Sequence, residues 1–377
     1  MRDKLLHGVR RVVIKIGSGV ISTDQGLDVI QVGAISDQIC ELLADGLEVV
    51  VVSSGAVAAG KGALGIEGKP RTIPLKQAAA AIGQSRVIRT YKEAFGEKDR
   101  LVAQVLLTRD DLNNRRRYLN ARNTLMTLLE HRVTPIINEN DTVVVEEIRF
   151  GDNDNLSAMV TNLADADLLI ILSDVDGLYD SDPFADPRAR LIPRVEAVDD
   201  AIEKMADGSG SRLGTGGMLT KVRAARRAAE FGVGTILVNG RTPRILQRIF
   251  SGEEVGTFFS PHRQRLAAKK HWISFTRPKG VLFLDDGACQ ALLEGGKSLL
   301  PSGVKKIEGV FQRGDAVRLC SLAGVEIAKG VIGYDLTEMM KIMGRNSTEI
   351  EGLLGYKYGD EVVHRDNMVL KNKILNS

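Results

Sequence analysis

The sequence predicts an α/β protein with a buried, mainly parallel sheet, followed by a small β-rich domain. Short runs of aliphatic and β-branched residues alternate with helical patterns over residues 1–260. These runs are apolar throughout, which is typical of parallel strands buried on both faces. Alternation of strand and helix indicates a layered fold with right-handed crossovers.

Each predicted strand is followed by Gly, Ser, Thr, Asn or Asp. The strands are expected at residues 12–16, 49–52, 101–107, 134–137, 168–172 and 234–238. The helices between them are expected at residues 29–44, 75–95, 116–131, 155–164 and 219–231. Two stretches, 174–193 and 207–217, are predicted to be long loops. Because ligands of open parallel sheets bind at the carboxyl ends of the strands, we expect the functional site there.

The composition changes after about residue 252. Residues 262–271 carry four Lys or Arg and two His, which favours a solvated linker between domains. Beyond it, short strands are expected at residues 280–284, 304–311, 316–321 and 326–331. The predicted organisation is a first domain over 1–260, a linker over 261–278 and a second domain with a tail over 279–377.

Bulk properties exclude several classes of protein. The chain has 377 residues, 44% of them hydrophobic and 26% charged, as in ordinary globular proteins. A net charge of +3 is too small to indicate a nucleic-acid partner, and no apolar run reaches the roughly 18–20 residues of a membrane helix. Three widely spaced cysteines predict neither a disulfide framework nor a zinc site, which fits a cytoplasmic protein.

Residues 55–62, GAVAAGKG, follow a predicted strand and resemble a phosphate-binding loop. Gly62, however, offers no hydroxyl for Mg²⁺, and the Ala-Val-Ala-Ala stretch favours a helix that begins near Gly55. We therefore expect the turn Ser53-Ser54-Gly55, rather than Lys61, to face a small carboxylate or phosphate through its backbone N–H groups.

Two other stretches have the composition of phosphate sites. Lys15 precedes Gly17-Ser18-Gly19 at the end of the first strand, where glycines allow close approach of a phosphate. Residues 214–221, GTGGMLTK, open a helix with Gly and Thr and place Lys221 about one turn later. The glycine turn at Gly17-Ser18-Gly19 could equally be structural.

Residues 138–155 contain three Asp and four Asn. Asp154 or Asn155 is expected to cap the helix that begins near residue 156, but a cap needs only one such residue. The excess favours a site that holds an ammonium group or orients lysines. A calcium loop of the EF-hand type is excluded by its missing Gly and Glu.

Six motifs in order, VIKIGSG, VVSSGAVAAG, INENDTV, FGDNDNLSA, SDVDGLY and GTGGMLTK, resemble the amino acid kinase family over residues 8–260. Residues 279 to about 355 resemble a PUA domain. The resemblance implies an αβα sandwich around a mainly parallel sheet of about eight strands. It also implies ATP-dependent phosphorylation of the side-chain carboxylate of L-glutamate, the first step of proline biosynthesis, with Mg²⁺ on the ATP phosphates and proline as feedback inhibitor.

The family's functional positions carry over to residues of this sequence. Catalytic roles are implied for Lys15, Lys221 and Asp154, which holds the two lysines in place. Glutamate binding is implied for Ser54, Gly55, Asp141 and Asn153. The ATP-binding positions are Lys15, Gly17, Ser18, Gly19, Ser173, Asp174, Thr215, Gly216, Gly217, Met218, Leu219, Thr220 and Lys221. Direct Mg²⁺ ligands are left unassigned.

Two alternatives stay open. The chain could phosphorylate another small carboxylate, such as aspartate or acetylglutamate. It could instead bind or modify RNA through the PUA-like domain, although the C-terminal region lacks a dense basic stripe with interleaved aromatic residues. A homo-oligomer is expected from base rates and from the family, and no membrane partner is expected.

Overall fold

The structure is a computed structural model of the chain. It describes residues 6, 8–23, 26–66, 68, 70–143, 152–183, 185–207, 217–261, 273 and 276–371, without the side chains of residues 115 and 152. These residues belong to two compact units. The first unit comprises Met1–Leu112 and Thr124–Arg265, and the second comprises Asn113–Asn123 and Leu266–Ser377. The three domain bounds predicted above stay a prediction, and the linker lies largely outside the described residues.

The first unit is built on an open sheet. Its strands are β1 (Arg11–Ile16), β2 (Ser22–Thr23), β3 (Gly26–Leu27), β4 (Glu48–Ser53), β5 (Leu101–Leu107), β6 (Val133–Glu139), β7 (Leu168–Ser173), β8 (Arg194–Val195), β9 (Gly234–Asn239) and β10 (Thr257–Phe259). Within the described part of the chain, eight of these strands form one sheet in the order β5-β6-β4-β1-β7-β9-β10-β8. The other two, β2 and β3, form a small hairpin. All neighbours in the large sheet are parallel except β9 and β10. The predicted mainly parallel sheet is confirmed.

Helices connect these strands. They are α1 (Ser18–Ile21), α2 (Val29–Ala44), α3 (Ala56–Lys61), α4 (Ile73–Gly96), α5 (Arg109–Asn113), α6 (Arg115–Glu130), α7 (Asp152–Leu163), α8 (Asp200–Asp207), α9 (Met218–Glu230) and α10 (Ile245–Phe250). A short 3₁₀ turn, Gly62–Leu64, follows α3. Within the described residues, no helix is long and apolar enough to cross a membrane.

The central strands are buried because their residues are apolar on both faces. Val12, Ile14 and Ile16 of β1 are fully buried in one cluster with Val49 and other residues of the flanking strands and helices. Full burial of such a side chain contributes about 1.5–3 kcal/mol. This packing fixes the positions of the strands, and therefore also the positions of the residues just beyond their carboxyl ends.

Helices α3 and α4 cross with their backbones in close approach. A Cβ atom built on Gly60 would lie 1.8 Å from the carbonyl oxygen of Ala79, and one built on Gly83 would lie 1.8 Å from that of Ala56. Only glycine fits at both positions. Gly60 of the GAVAAGKG stretch therefore packs one helix against another, and the expectation that a helix begins near Gly55 is confirmed.

Helix α7 begins earlier than the sequence suggested. It starts at Asp152, so Asp154 and Asn155 lie within its first turn. The prediction that one of them caps the helix is wrong. The physical reason is that both side chains are engaged by other elements, Asp154 by Lys15 and Thr220, and Asn155 by Arg227.

The second unit is a smaller β-rich fold with helices along the sheet. Its strands, in the sheet order β12-β11-β13-β14-β15, are β11 (Gly280–Leu284), β12 (Val304–Gly309), β13 (Ala316–Ser321), β14 (Glu326–Val331) and β15 (Met368–Leu370). Its helices are α11 (Asp286–Leu293), α12 (Leu336–Ile342) and α13 (Ile350–Leu354), with 3₁₀ turns at Pro301–Gly303, Ser347–Glu349 and Arg365–Asn367. A separate core that includes Leu282, Leu319 and Tyr334 stabilises it.

Candidate active site

The site begins at Lys15, the penultimate residue of β1. Because β1 lies between β4 and β7, Lys15 stands in the middle of the carboxyl edge of the sheet. Its side chain is only 6% exposed, and its Nζ lies 2.5 Å from Oδ1 of Asp154. A lysine buried this deeply needs a partner of opposite charge, and Asp154 supplies it.

Asp154, in the first turn of α7, contacts three side chains from other elements: Lys15, Thr220 and Lys221. Its Oδ2 accepts a hydrogen bond from Thr220 Oγ1 at 2.6 Å and lies 3.5 Å from Nζ of Lys221. Its side chain is 1% exposed. Burial alone would raise the pKa of Asp154, but attraction to Lys15 and Lys221 and the hydrogen bonds from Lys15 and Thr220 outweigh it and lower the pKa to about 2. The carboxylate is therefore ionised at neutral pH.

Lys221 and Thr220 reach this carboxylate from the start of α9. The helix begins at Met218 after Gly217, whose carbonyl oxygen accepts from Nζ of Lys221 at 3.4 Å. Met218 is buried and Leu219 is half-buried. Of the predicted nucleotide stretch, Thr215 and Gly216 lie outside the described residues, so their predicted role stays a prediction.

The buried charges also act on Lys15. Burial lowers the pKa of Lys15 below its ordinary value; attraction to Asp154 offsets part of this, and repulsion by Lys221 adds to it. Two lysines share one carboxylate in this place. The group as a whole is cationic, which suits a polyphosphate.

The loops after β1 and β7 meet beside this cationic group. The N–H of Gly17 donates to the carbonyl of Leu172 at 3.0 Å, and Ser18 and Gly19 open α1. A Cβ atom on Gly19 would lie 2.9 Å from Oδ2 of Asp174, so glycine is required for this close contact. Ser173 Oγ donates to Oδ1 of Asp174 at 3.1 Å. The structure thus brings the two predicted stretches together.

A second, uncharged group of side chains lies one residue away along α7. Nδ2 of Asn153 is 3.0 Å from Ser54 Oγ and 3.2 Å from the carbonyl oxygen of Ser53. Gly55 has a left-handed φ of +96° and precedes α3, so the chain turns sharply at this point. Oδ1 of Asn153 is buried, and among the described residues it has no hydrogen-bond partner. Such a buried, unpartnered acceptor is uncommon, and it would be satisfied if a bound ligand supplied a donor.

Asp141, the remaining predicted substrate residue, follows β6 at the same edge of the sheet. It lies in a turn whose preceding residue, Asn140, donates its N–H to the carbonyl of Leu107 at 3.0 Å. The role of Asp141 in glutamate binding stays a prediction, whereas Ser54 and Asn153 are in contact.

Three further polar residues belong to the site although they were not predicted as site residues. Asn138 accepts from Asn153 Nδ2 at 2.9 Å, Gln84 accepts from Asn138 Nδ2 at 2.8 Å, and Tyr91 bonds Ser53 Oγ at 3.0 Å. Asn138 stood in the noted Asn-rich segment, but Gln84 and Tyr91 lie inside a helix without any motif. Lys61 ends α3 and makes none of the contacts described above.

The two groups of side chains lie next to each other because Asn153 and Asp154 are consecutive. On one side, two lysines and backbone turns suit phosphate oxygens. On the other, a serine and an amide acceptor suit the polar groups of a small acid. In the described part of the chain, no group of three or more His, Cys, Asp or Glu side chains could hold a metal ion. The arrangement can hold two anionic ligands side by side.

Comparison with known proteins agrees with this geometry. The model of the amino acid kinase family matches residues 10–239, and that of the PUA domain matches residues 280–354. The chain belongs to the amino acid kinase family. The predicted fold class, an amino acid kinase domain followed by a β-rich PUA domain, is confirmed.

Curated relatives of nearly the same length are similar to this chain. Glutamate 5-kinase of Syntrophotalea carbinolica is 63% identical over 98% of this chain and 100% of that protein. Glutamate 5-kinase of Geobacter sulfurreducens is 56% identical, and that of Stutzerimonas stutzeri is 49% identical, with the same coverage.

Proposed function

We propose that this protein transfers the γ-phosphoryl group of ATP to the side-chain carboxylate of L-glutamate. The product would be L-glutamyl 5-phosphate, in the first step of proline biosynthesis. One observation carries the proposal: the buried carboxylate of Asp154 pairs with both Lys15 and Lys221 directly beside the polar site at Asn153. The names and the high identity of the relatives support the choice of glutamate.

Lys15 and Lys221 would supply positive charge to the transferring phosphoryl group. Phosphoryl transfer places negative charge on the equatorial oxygens, and fixed cations in a water-poor site stabilise it. Asp154 would act through these lysines as a positioning residue, because it holds both and stays ionised. The nucleotide would extend over Gly17, Ser18 and Gly19, over Ser173 and Asp174, and over residues 215–219.

Glutamate would bind at the turn after β4 and at the start of α7. Ser54 and the backbone at Gly55 would receive its carboxylates, while Oδ1 of Asn153 and the carboxylate of Asp141 would accept from its ammonium group. The unpartnered state of Asn153 Oδ1 supports this assignment. The substrate's reacting carboxylate would then point along α7 toward Asp154 and the lysines.

The reaction needs no general base and no covalent intermediate. The side-chain carboxylate of glutamate has an ordinary pKa of about 4.3, so it is already a nucleophile at neutral pH. One of its oxygens forms a bond to the γ-phosphorus while the bond to the bridging oxygen of ADP breaks, and no proton moves. The enzyme therefore has to align two anions and offset their repulsion.

Mg²⁺ would enter with ATP. This ion is usually bound through substrate phosphates and one or two carboxylates, with water completing the octahedron. Asp174 is a carboxylate close to the turn at Gly19, where the phosphates would bind, and would be placed to contact the ion. When bound, Mg²⁺ neutralises charge on the β- and γ-phosphates.

Proline would inhibit by overlapping the glutamate site, since both ligands carry an ammonium group and a carboxylate on one carbon.

An even-numbered homo-oligomer is also proposed, in line with the family and with base rates. Sedimentation of the purified protein would measure the latter directly.

The test is the formation of acyl phosphate, trapped by hydroxylamine as the hydroxamate. Purified protein with MgATP should yield hydroxamate with L-glutamate, and much less with L-aspartate or N-acetylglutamate. Added proline should lower the yield, and excess glutamate should restore it. Hydroxamate formation with another acid but not with glutamate would overturn the proposal.

A further inference from the structure

A glutamine on helix α4 reaches the candidate glutamate site through two asparagines. Oε1 of Gln84 accepts from Nδ2 of Asn138 at 2.8 Å. Oδ1 of Asn138 in turn accepts from Nδ2 of Asn153 at 2.9 Å. Asn138 is 2% exposed, so water cannot replace these partners freely. The three side chains form one directed relay from α4 to the site.

The direction of the relay is set by chemistry. The carbonyl oxygen of Gln84 can only accept, so it requires the NH₂ group of Asn138 to face it. The oxygen of Asn138 then faces Asn153 and also accepts from the backbone N–H of Glu139 at 2.9 Å. The NH₂ group of Asn153 faces that oxygen, and its two hydrogens are shared among it, Ser54 Oγ and the carbonyl of Ser53.

The result is that the oxygen of Asn153 turns away from the relay. That oxygen is buried and, within the described part of the chain, unpartnered. If the amide of Asn138 rotated by half a turn, its NH₂ group would meet the NH₂ group of Asn153 and the N–H of Glu139. Donors would then face donors, and Asn153 could relieve this only by turning its oxygen toward the carbonyl oxygen of Ser53, where two acceptors would meet.

We infer that Gln84 is a positioning residue for glutamate: together with the backbone N–H of Glu139 and the carbonyl of Ser53, it holds the amides of Asn138 and Asn153 in the orientation that leaves Oδ1 of Asn153 as an acceptor for the substrate's ammonium group. This inference rests on the proposed function. Gln84 would act through the two asparagines without touching the substrate. Its effect should therefore fall on glutamate and spare ATP, which is bound on the other side of Asp154.

The test is a set of steady-state measurements with the full-length protein. Gln84→Met keeps the length of the side chain and removes the acceptor, and we expect the KM for glutamate to rise about tenfold, as for loss of one partner of a buried polar group. The KM for ATP should stay within about twofold. Gln84→Glu keeps an acceptor oxygen and should keep the glutamate KM within about threefold. If Gln84→Met folds poorly, Gln84→Asn, which is one methylene too short, should show the same selective rise.

Two comparisons separate positioning from general damage. In an Asn153→Ala background, Gln84→Met should have no further effect on the glutamate KM, because its target is gone. The control is Ser85→Ala on the same helix. The Ser85 hydroxyl donates to the carbonyl of Ile82, within the helix itself, so its loss should leave both KM values unchanged. An unchanged glutamate KM in Gln84→Met, an equal rise for ATP, or full additivity with Asn153→Ala would overturn the inference. Absence of glutamate-dependent hydroxamate in the wild-type protein would instead overturn the proposed function.

Discussion

Nζ of Lys15 lies 2.5 Å from Oδ1 of Asp154, and both side chains are almost completely buried. The opposite oxygen of the same carboxylate faces Lys221. One anion therefore holds two cations in a place from which water is largely excluded. The charge left over is positive, and the ATP phosphates would balance it. Stability and catalysis should thus depend on the same three residues.

Asp154→Asn should destabilise the fold as well as lower activity. The amide keeps the shape but leaves Lys15 and Lys221 without their anion, and loss of one partner of a buried pair costs about 3–5 kcal/mol. Urea unfolding measures this change. The matched control is Asp37→Asn, which breaks an exposed pair with Lys98 and should cost less than about 1 kcal/mol. Equal effects in the two variants would contradict the assigned role of Asp154.

Acid should remove the contribution of Asp154 to the free energy of unfolding over a definite range of pH. The pKa of this carboxyl group is about 2 in the folded protein, against an ordinary value of 3.8. A lowered folded pKa contributes stability above the unfolded value, and that stability is lost as pH falls toward the folded value. The shift corresponds to about 2 kcal/mol. The difference in unfolding free energy between wild type and Asp154→Asn should therefore shrink between about pH 4 and pH 2, and a constant difference would refute the assignment.

Alkaline pH should act through Lys15. Its pKa is lowered by burial, so the group loses its proton below the ordinary lysine value of 10.5. Its positive charge is then lost, and kcat/KM for ATP, which reports ionisation in the free enzyme, should decline below that pH. Because the folded pKa is lowered, the charged lysine opposes folding, and this penalty should fade as pH rises toward 10.5. A decline in kcat/KM centred at or above the ordinary value would show that burial does not control Lys15.

Lys221→Ala should lower kcat by about two orders of magnitude, or about 3 kcal/mol of barrier, because a cation at the transferring group is lost. A kcat near the wild-type value at saturating ATP would contradict a role of Lys221 in phosphoryl transfer. Lys61→Ala provides the control, since that lysine ends α3, is not among the partners of Asp154 described above, and should leave kcat within about twofold.

Much of the framework followed from local sequence patterns. The helix at Val29–Ala44 and the strands at Gly280–Leu284, Ala316–Ser321 and Glu326–Val331 have the predicted bounds. Their patterns are local, because apolar runs and caps act within a few residues. Lys15 lies near the end of a strand, and Asp154 and Lys221 lie near the starts of helices α7 and α9. They meet because strands end and connecting helices begin at the same edge of a parallel sheet.

The remainder depends on tertiary contacts that no short window contains. Gln84 and Tyr91 look like ordinary helix residues in the sequence. Their contacts with Asn138 at the end of β6 and with Ser53 at the end of β4 form only in the folded protein. Strands β8 and β10, of two and three residues, carry too little pattern to be seen. The start of α7 was misplaced because the side chain of Asp154 serves Lys15 rather than the helix end.

The crossing of α3 and α4 gives a last prediction. Gly83→Ala would place a methyl group 1.8 Å from the carbonyl oxygen of Ala56, and Gly60→Ala would do the same at Ala79. Since both obstacles are backbone, the helices must separate, and overpacking of this kind costs about 1–3 kcal/mol or more. Separation would also displace Gln84, next to Gly83, so the glutamate KM should rise in Gly83→Ala.

The control is Gly33→Ala in α2. A methyl group at this position meets no atom within 4 Å and should stabilise the protein by up to about 1 kcal/mol. The measurements are thermal unfolding and the glutamate KM of the three variants. A stable Gly83→Ala protein with an unchanged glutamate KM would mean that α4 does not hold the glutamate site.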